Sequence, residues 1–352
     1  MDREASIRYM KDHMNNNKAM GLLAQAEFEK WARENQSVKP KYFDGCWILS
    51  PKGYTASRRF CFMIHGKLEK KERIAEIIKN ILLKRGYHAL FGSISRTGLG
   101  VTYCIPTGDD DTDFENINWK LFRYQDENLT EINSYAFFNG WPGNRGRAST
   151  GREWDAIVAE RYETLDLKLL DSLVLNQVFY NSFIKGVFKK PLDDPYDTDS
   201  FIVSYEGKIF PVEIKEKFPF TTGKNKKFGI DAGRILMLLR ICLPLDCNGL
   251  YVIREVTKEN RKFVGWKMMT LDSMIMNSNW NLQAGGTGMR GGSTQTVTFP
   301  YEVFSDMDNG SFSDNKLHEM SKFSDRVKEK AKDFFDEAAK LFSQSKQQSS
   351  LG

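Results

Sequence analysis

The chain has 352 residues, of which 41% are hydrophobic and 13% aromatic, and it carries a formal net charge of +5. This composition is typical of globular proteins and excludes an intrinsically disordered chain, while the length predicts two domains or one domain with large additions. The small positive charge permits an anionic partner without requiring one.

Cysteines, histidines and apolar runs exclude further classes of protein. The five cysteines form no C-x-x-C pair, so we expect free thiols in a reducing compartment. The four histidines are isolated, which argues against a zinc site. The N-terminal residues lack the apolar core of a signal peptide, and no run of about 18 apolar residues occurs. We therefore expect a cytoplasmic protein without a membrane span.

The first 150 residues predict a smaller α/β domain with a recognition or regulatory role. An amphipathic helix is expected at 19–34, where apolar residues recur at helical spacing. Residues 40–140 predict a β-α-β-β core, with strands at 58–66, 87–94 and 100–106 and a helix at 68–86.

A second α/β module follows a basic, glycine-rich break at 140–153. That break predicts either a solvated linker or a segment that orders on nucleic-acid phosphates. Residues 154–187 have helical periodicity. Further elements are expected as strands at 200–205, 208–216, 249–256 and 262–271, and as a helix at 230–243 that stops before Pro244.

The C-terminal part, 276–352, predicts a loop followed by a helix. Residues 283–296 are glycine-rich and lack the spacing of a phosphate-binding loop, so a flexible surface loop is expected. A long helix is expected at 316–343. Its apolar stripe either packs on its own chain or forms a homodimer, and the stripe includes Phe323, Val327, Phe334 and Leu341.

The strand at 208–216 carries an unusual charged pair, Glu213 and Lys215, on one face. The preceding residues, "YEG", predict a three-residue hairpin loop with Gly207 in the left-handed conformation. In that register Asp199 faces Glu213, with Cβ atoms about 4.5–5.5 Å apart. Two carboxylates and a lysine are therefore expected at one edge of the sheet, either as a surface salt-bridge cluster or as parts of a catalytic centre. A two-residue turn would instead shift the register by one and turn Asp199 away.

Two carboxylates so close repel each other unless a cation lies between them. A hard divalent ion of the magnesium type suits their oxygen ligands. Such an ion would polarise a phosphodiester and activate water, while Lys215 would orient that water or stabilise developing charge. The chemistry predicted from these residues is hydrolysis of a phosphodiester.

The set Asp199…Glu213-Ile214-Lys215 resembles the D-x(n)-E-x-K core of the PD-(D/E)xK nuclease superfamily, across residues 154–271. The resemblance implies a restriction-endonuclease-like mixed sheet flanked by helices, in a nuclease domain at 151–275. It further implies a Mg²⁺-dependent endodeoxyribonuclease, with Mn²⁺ as a substitute ion, in a restriction or antiviral defence setting. The metal ligands implied are Asp199, Glu213 and the carbonyl of Ile214.

The resemblance leaves two positions open. The sequence has "YDTD" before the strand, so Asp197 is a rival to Asp199 as metal ligand. Many family members also use an acidic residue from the upstream helix, and either Glu160 or Glu163 fits that role; Glu163 is included in the predicted site. Solvent-facing helix charges are the alternative for both glutamates.

Basic residues after the motif predict the nucleic-acid contacts. Lysines next to a phosphodiester site would neutralise backbone phosphates. For Lys224, Lys226 and Lys227, a solvated charged loop is the alternative. Arg234 is expected to contact a phosphate or to pair with Asp231. The predicted DNA-binding residues are Lys217, Lys224, Lys226, Lys227 and Arg234.

Two other functions remain open. The first is a non-catalytic nucleic-acid-binding subunit of a larger complex, which the intact Asp199, Glu213 and Lys215 set disfavours. The second is a nuclease effector that a small ligand or partner protein activates through residues 40–140.

Overall fold

The computed structural model describes residues 2–39, 41–49, 61–65, 100–107, 118–125, 128–139, 153–184, 196–278, 283–287, 293–321, 323, 325 and 327–330. Several predicted elements lie outside the described residues, namely the helix at 68–86, the strand at 87–94, nearly all of the break at 140–153, and the helix beyond residue 330. The protein is a mixed α/β structure. Within the described residues, no helix has both the length and the apolar character needed to cross a bilayer.

The chain divides into two compact units whose boundaries differ from the predicted domains. The first unit contains Met1–Ala32 and Phe43–Thr198, and the second contains Arg33–Tyr42 and Asp199–Gly352. The helical segment at 154–187, which we assigned to the second module, therefore lies in the first unit. The physical reason is burial, since Tyr162 and Leu170 of that segment share a core with Met10 and Leu23 of the N-terminal helices.

Three helices of the first unit begin at aspartate caps. Asp2, Asp155 and Asp166 each accept a hydrogen bond from a backbone N–H in the first turn, which satisfies a donor that the helix leaves unpaired. Helix α2 confirms the helix predicted at 19–34 and begins three residues earlier. The helices are α1 (Arg3–His13), α2 (Asn16–Glu34), α3 (Ser134–Phe137), α4 (Ala156–Thr164) and α5 (Leu167–Val178), which continues as a π-helix at Phe179–Ile184.

The sheet of the first unit has the strand order β1-β2-β3-β4-β5. Strands β2 and β3 run parallel, and the other neighbouring pairs are antiparallel. Strands β2 and β3 match the predictions at 58–66 and 100–106, whereas β1, β4 and β5 were not predicted. The bounds are β1 (Tyr42–Leu49), β2 (Cys61–His65), β3 (Gly100–Thr107), β4 (Asn118–Gln125) and β5 (Asn128–Ile132).

The second unit contains a mixed sheet, in the order β14-β11-β10-β7-β6, and an antiparallel sheet, in the order β12-β13-β9-β8. Strands β7 and β10 are parallel, and the chain between them forms β8, β9 and α6. The strands are β6 (Tyr196–Val203), β7 (Ile209–Lys217), β8 (Phe220–Thr222), β9 (Asn225–Asp231), β10 (Leu250–Val256), β11 (Phe263–Thr270), β12 (Gln283–Thr287), β13 (Ser293–Pro300) and β14 (Ser305–Asp306). The helices are α6 (Ala232–Leu245), α7 (Leu271–Asn277) and α8 (Asp314–Met320).

The hairpin of β6 and β7 has the predicted register. Ser200 pairs with Val212 and Val203 with Ile209, and the N–H of Ser204 donates to the carbonyl of Lys208 at 2.9 Å. Gly207 takes φ +77°, the left-handed conformation that glycine adopts most readily. The hairpin prediction is therefore confirmed.

Two segments that we predicted as loops are strands. The lysine-rich segment forms β8 and β9, and the glycine-rich segment 283–296 contributes β12 and the start of β13. Strand β9 pairs with β13, which lies far from it in the sequence, whereas β8 with β9 and β12 with β13 form local hairpins that the sequence analysis did not recognise. Helix α6 also runs to Leu245, past Pro244. A proline so close to a helix end removes only one backbone hydrogen bond, which the last turn tolerates.

The C-terminal helix predicted at 316–343 is not continuous. Helix α8 ends at Met320, and helical residues resume after the turn at Ser321. Phe323 and Val327 are 8% and 6% exposed and pack into the core of the second unit, together with Tyr251 and Phe304. The alternative in which the stripe packs on its own chain therefore applies to these two residues, while Phe334 and Leu341 lie outside the described residues.

Candidate active site

The three predicted metal ligands meet at one atom, the Nζ of Lys215. This nitrogen lies 2.6 Å from Oε1 of Glu213 and 3.4 Å from Oδ2 of Asp199. It also donates a hydrogen bond of 2.9 Å to the carbonyl oxygen of Ile214. The ammonium group thus contacts the three oxygen atoms that the sequence predicted as metal ligands.

Asp199 is held by the neighbouring strand. Its Oδ2 accepts a 2.6 Å hydrogen bond from the backbone N–H of Ile214, and its side chain is 1% exposed. The two distances from Nζ of Lys215, 3.4 and 2.6 Å, together bound the separation between Oδ2 of Asp199 and Oε1 of Glu213 at 6.0 Å. This bound lies below the separation of about 8 Å at which sharing of one ion would fail. The contacts favour Asp199 over Asp197 as the acidic partner of Glu213.

Glu213 is buried and contacts a second cation. Its side chain is 1% exposed, and its Oε1 lies 3.4 Å from Nη1 of Arg234, in the first turn of α6. Asp231 caps that helix by accepting a 2.8 Å hydrogen bond from the N–H of Gly233. We had expected Arg234 to contact phosphate or to pair with Asp231. Its contact with Glu213 was foreseen in neither alternative.

Tyr251 is a further residue of the site that the sequence analysis missed. It pairs with Glu213 in the parallel register of β10 and β7, and it is 1% exposed. Burial raises its pKa well above the usual value, and the carboxylate of Glu213 raises it further. No local sequence signal identifies this neighbour, because the parallel register depends on the whole connection between the two strands.

The two lysines of β7 have pKa values shifted in opposite directions. Burial disfavours the ammonium of Lys215, but the carboxylates of Asp199 and Glu213 more than offset this effect, so its pKa is raised. Burial and then the charge of Lys215 lower the pKa of Lys217 to about 8, although Asp231 and Glu213 oppose the shift. Near neutral pH both side chains are therefore mainly cations.

The opposite face of β7 carries a separate ion cluster around Glu216. Its side chain is 1% exposed, and its Oε1 and Oε2 lie 2.7 and 3.1 Å from the guanidinium groups of Arg261 and Arg254. Arg254 lies on the neighbouring strand β10, in register with Glu216. This cluster, on the face of β7 opposite the candidate site, holds β7 against β10 and so helps to keep Glu213 and Lys215 in place.

The donor set at Lys215 is compatible with a hard divalent ion. Among the described residues, no group of three or more His, Cys, Asp or Glu side chains has the arrangement of a metal site. However, magnesium sites commonly use one or two carboxylates, with water and substrate phosphate completing the shell. The carboxylates of Asp199 and Glu213 and the carbonyl of Ile214 surround one cation here, and they match that pattern.

The remaining predicted site residues lie on α4, at the end of β7 and on the hairpin of β8 and β9. Glu160 and Glu163 are exposed on α4 of the first unit, and the carbonyl of Glu163 accepts a 2.8 Å hydrogen bond from Nη1 of Arg3. The catalytic role of Glu163 therefore stays a prediction. Lys217 is half-buried at the end of β7, and Lys224, Lys226 and Lys227 lie on the hairpin of β8 and β9.

No family model, curated protein or solved structure matches this chain.

Proposed function

We propose that the chain is a Mg²⁺-dependent endonuclease of the PD-(D/E)xK type, which hydrolyses phosphodiester bonds of DNA. The observation that supports this proposal most is the convergence of Asp199, Glu213 and the carbonyl of Ile214 on the ammonium of Lys215. A surface salt bridge does not require a second buried carboxylate, whereas a metal-dependent hydrolase needs both carboxylates and the lysine.

Each residue would have a separate role. Asp199, Glu213 and the Ile214 carbonyl would hold the ion, which when bound polarises the phosphodiester and lowers the pKa of an attacking water. Lys215 would donate a hydrogen bond to that water or to the developing negative charge, because its nitrogen lies next to the ligand oxygens. Arg234, 3.4 Å from Glu213, is positioned to fix that carboxylate and to attract an anionic substrate.

A non-catalytic nucleic-acid-binding subunit is the second candidate. The observation in its favour is that the Glu213 carboxylate, 1% exposed, already contacts the cations of Lys215 and Arg234. Such a cluster can stabilise a fold without performing chemistry. A nuclease effector activated by a ligand or partner stays a prediction.

Cleavage of DNA with and without metal tests the proposal. Supercoiled plasmid, linear duplex and an RNA of the same sequence are incubated with the full chain, in Mg²⁺, in Mn²⁺ and in chelator. We expect DNA cleavage with either ion and none in chelator. Glu213→Gln and Lys215→Met should each abolish cleavage, because one removes a ligand charge and the other removes the ammonium.

Two exposed residues provide matched controls. Lys208→Met, in the same hairpin, makes the same lysine-to-methionine change outside the site, and Glu259→Gln makes the same glutamate-to-glutamine change. Both variant proteins should cut at the wild-type rate. Cleavage by Glu213→Gln at that rate would refute the assignment of this strand. Binding of DNA by a folded chain that cuts under no condition would favour the non-catalytic candidate.

A further inference from the structure

Strands β8 and β9 form a two-stranded ribbon that is separated from the end of β7 by two residues. Phe220 pairs with Lys227, Thr221 with Lys226, and Thr222 with Asn225. Gly223 takes φ +63° at the first central position of the two-residue turn, where a type II′ hairpin turn requires glycine. The next strand, β13, pairs with β9 only from Lys227 to Asp231. The end of the ribbon therefore extends beyond its pairing with β13.

The two faces of the ribbon have different surroundings. Lys226, Phe228 and Ile230 lie on the inner face, where Phe228 and Ile230 are fully buried. The nitrogen of Lys226 lies 5.6 Å from the ring centre of Tyr301, and the ring of Phe228 lies 5.5 Å from the same ring. The inner face of the ribbon is therefore fixed to the body of the second unit.

The outer face carries four side chains that solvent reaches. Because directly paired residues share a face, Phe220 and Lys227 lie beside Thr222 and Asn225. Phe220 is 37% exposed, Thr222 and Asn225 are exposed, and Lys227 is half-buried. The outer face thus presents part of an aromatic ring beside an amide and an ammonium, three groups that can contact a partner.

The charge of this segment selects an anionic partner. Between Glu216 and Asp231 the sequence contains four lysines and no acidic residue. Three of the lysines lie on the ribbon, and Lys217 lies at the end of β7, between the ribbon and Lys215. Residues 217–230 therefore carry only positive formal charge, which favours a polyanion as the partner.

The chemistry of the outer face fits the major groove of duplex DNA. This groove, about 12 Å wide, admits a two-stranded ribbon. An asparagine pairs with adenine, a lysine with guanine, and phenylalanine or a threonine methyl contacts the thymine methyl group. All of these groups occur together on the outer face. A surface that only neutralised phosphates would need neither Phe220 nor Asn225.

We propose that the outer face of this ribbon enters the major groove of double-stranded DNA and contacts base edges, so that it selects the sequence presented to the candidate active site. This inference rests on the proposed function and adds the substrate class and the origin of its specificity. Lys224, at the turn, contacts a phosphate and contributes affinity that is independent of sequence.

The test measures binding rather than cleavage. In chelator, the full chain selects duplexes from a pool of random sequence, and anisotropy then gives affinities for the selected duplex and for an unrelated one. Asn225→Ala and Phe220→Ala should each weaken binding to the selected duplex about tenfold, with less than about a twofold change for the unrelated duplex. Each variant should also relax the preference at its own base position.

Lys224→Ala is the matched control, because it lies on the same ribbon and is expected to contact only phosphate. It should weaken binding to both duplexes equally. The slope of the logarithm of the binding constant against the logarithm of salt concentration should fall in magnitude by about one. Thermal unfolding of the Asn225→Ala and Lys224→Ala proteins is expected to match the wild type, since these two side chains are exposed. Phe220→Ala removes a ring that is 37% exposed, and its unchanged binding to the unrelated duplex shows that the ribbon is intact.

The remaining outcomes distinguish the two proposals. If no sequence is selected, or if Asn225→Ala and Phe220→Ala weaken both duplexes equally, base reading by the ribbon is refuted while the nuclease proposal stands. If the wild-type chain binds no DNA and cuts none, the proposed function fails, and this inference fails with it.

Discussion

The Nζ of Lys215 and the Oε1 of Glu213 lie 2.6 Å apart, and they belong to residues two positions apart on one strand. The carboxylate is 1% exposed and the lysine side chain 23% exposed. Solvent therefore reaches this ion pair from the lysine side. An incoming cation or phosphate would meet the ammonium first and the carboxylate behind it.

Loss of the Glu213 charge should destabilise the second unit. Burial is the physical reason, because the Glu213 side chain is 1% exposed and contacts two cations. In Glu213→Ala, the ammonium of Lys215 and the guanidinium of Arg234 lose a charged partner, at a cost of about 1–3 kcal/mol in the free energy of unfolding. Urea unfolding monitored by fluorescence measures this loss.

A double-mutant cycle separates the ion pair from simple packing. The variant Glu213→Ala/Lys215→Met should lose less stability than the sum of the two single changes, because neither charge is left without the other. Additive losses would mean that the 2.6 Å contact contributes nothing to stability.

Lys215→Met should bind a divalent ion more tightly while cutting no DNA. In the wild-type chain the ammonium contacts the same three oxygen atoms that would hold the ion, so ion binding must displace it. Removing the ammonium leaves the two carboxylates repelling each other, which favours a divalent cation. Calorimetric titration with Mn²⁺ should show at least a severalfold gain in affinity. A loss of affinity would indicate that these oxygen atoms are not the ligands; Lys208→Met serves as the control.

DNA binding should weaken as the pH rises through about 8, because Lys217 has a pKa of about 8 and then loses its charge. A bound phosphate favours the ammonium, so the midpoint in the complex lies at or above this value. Anisotropy between pH 7 and 9.5, in chelator, measures the effect. Lys217→Arg keeps its charge over this range and should remove the pH dependence. The same pH dependence in Lys217→Arg would assign the titration to another group.

The stability of the free chain should change in the opposite direction over that range. The folded pKa of Lys217, about 8, lies below its usual value of 10.5. The unfolded chain then holds more protons between these values, so the contribution of Lys217 to folding stability rises with pH across this window. Urea unfolding at pH 7.5 and pH 9.5, for wild type and Lys217→Arg, checks the sign.

Phe323→Ala should cost about 3–5 kcal/mol of stability, because this ring is 8% exposed in the core of the second unit. Glu329→Ala, at an exposed position nearby, is the control and should have little effect. Sedimentation of both variants should show the oligomeric state of the wild type. If Phe323→Ala converted a dimer to a monomer at unchanged stability, Phe323 would instead lie in a subunit interface.

Local sequence determined the hairpin and the composition of the site. Alternation of apolar and charged residues defined β7, and the glycine of the three-residue loop set the register that places Asp199 opposite Glu213. These predictions succeeded because hairpin geometry depends on residues that are close in the chain. The same locality explains why α2, β2 and β3 were predicted.

Only the tertiary structure decided which residues surround that hairpin. The register of β10 on β7 brings Tyr251 beside Glu213. The packing of α6 brings Arg234 to the same carboxylate. Pairing with distant β13 makes part of the lysine-rich segment a strand, β9. Sequence patterns do not determine these contacts, because each depends on how segments far apart in the chain bury their apolar faces together. For the same reason only the tertiary structure decided that Phe323 and Val327 pack into the core of their own chain.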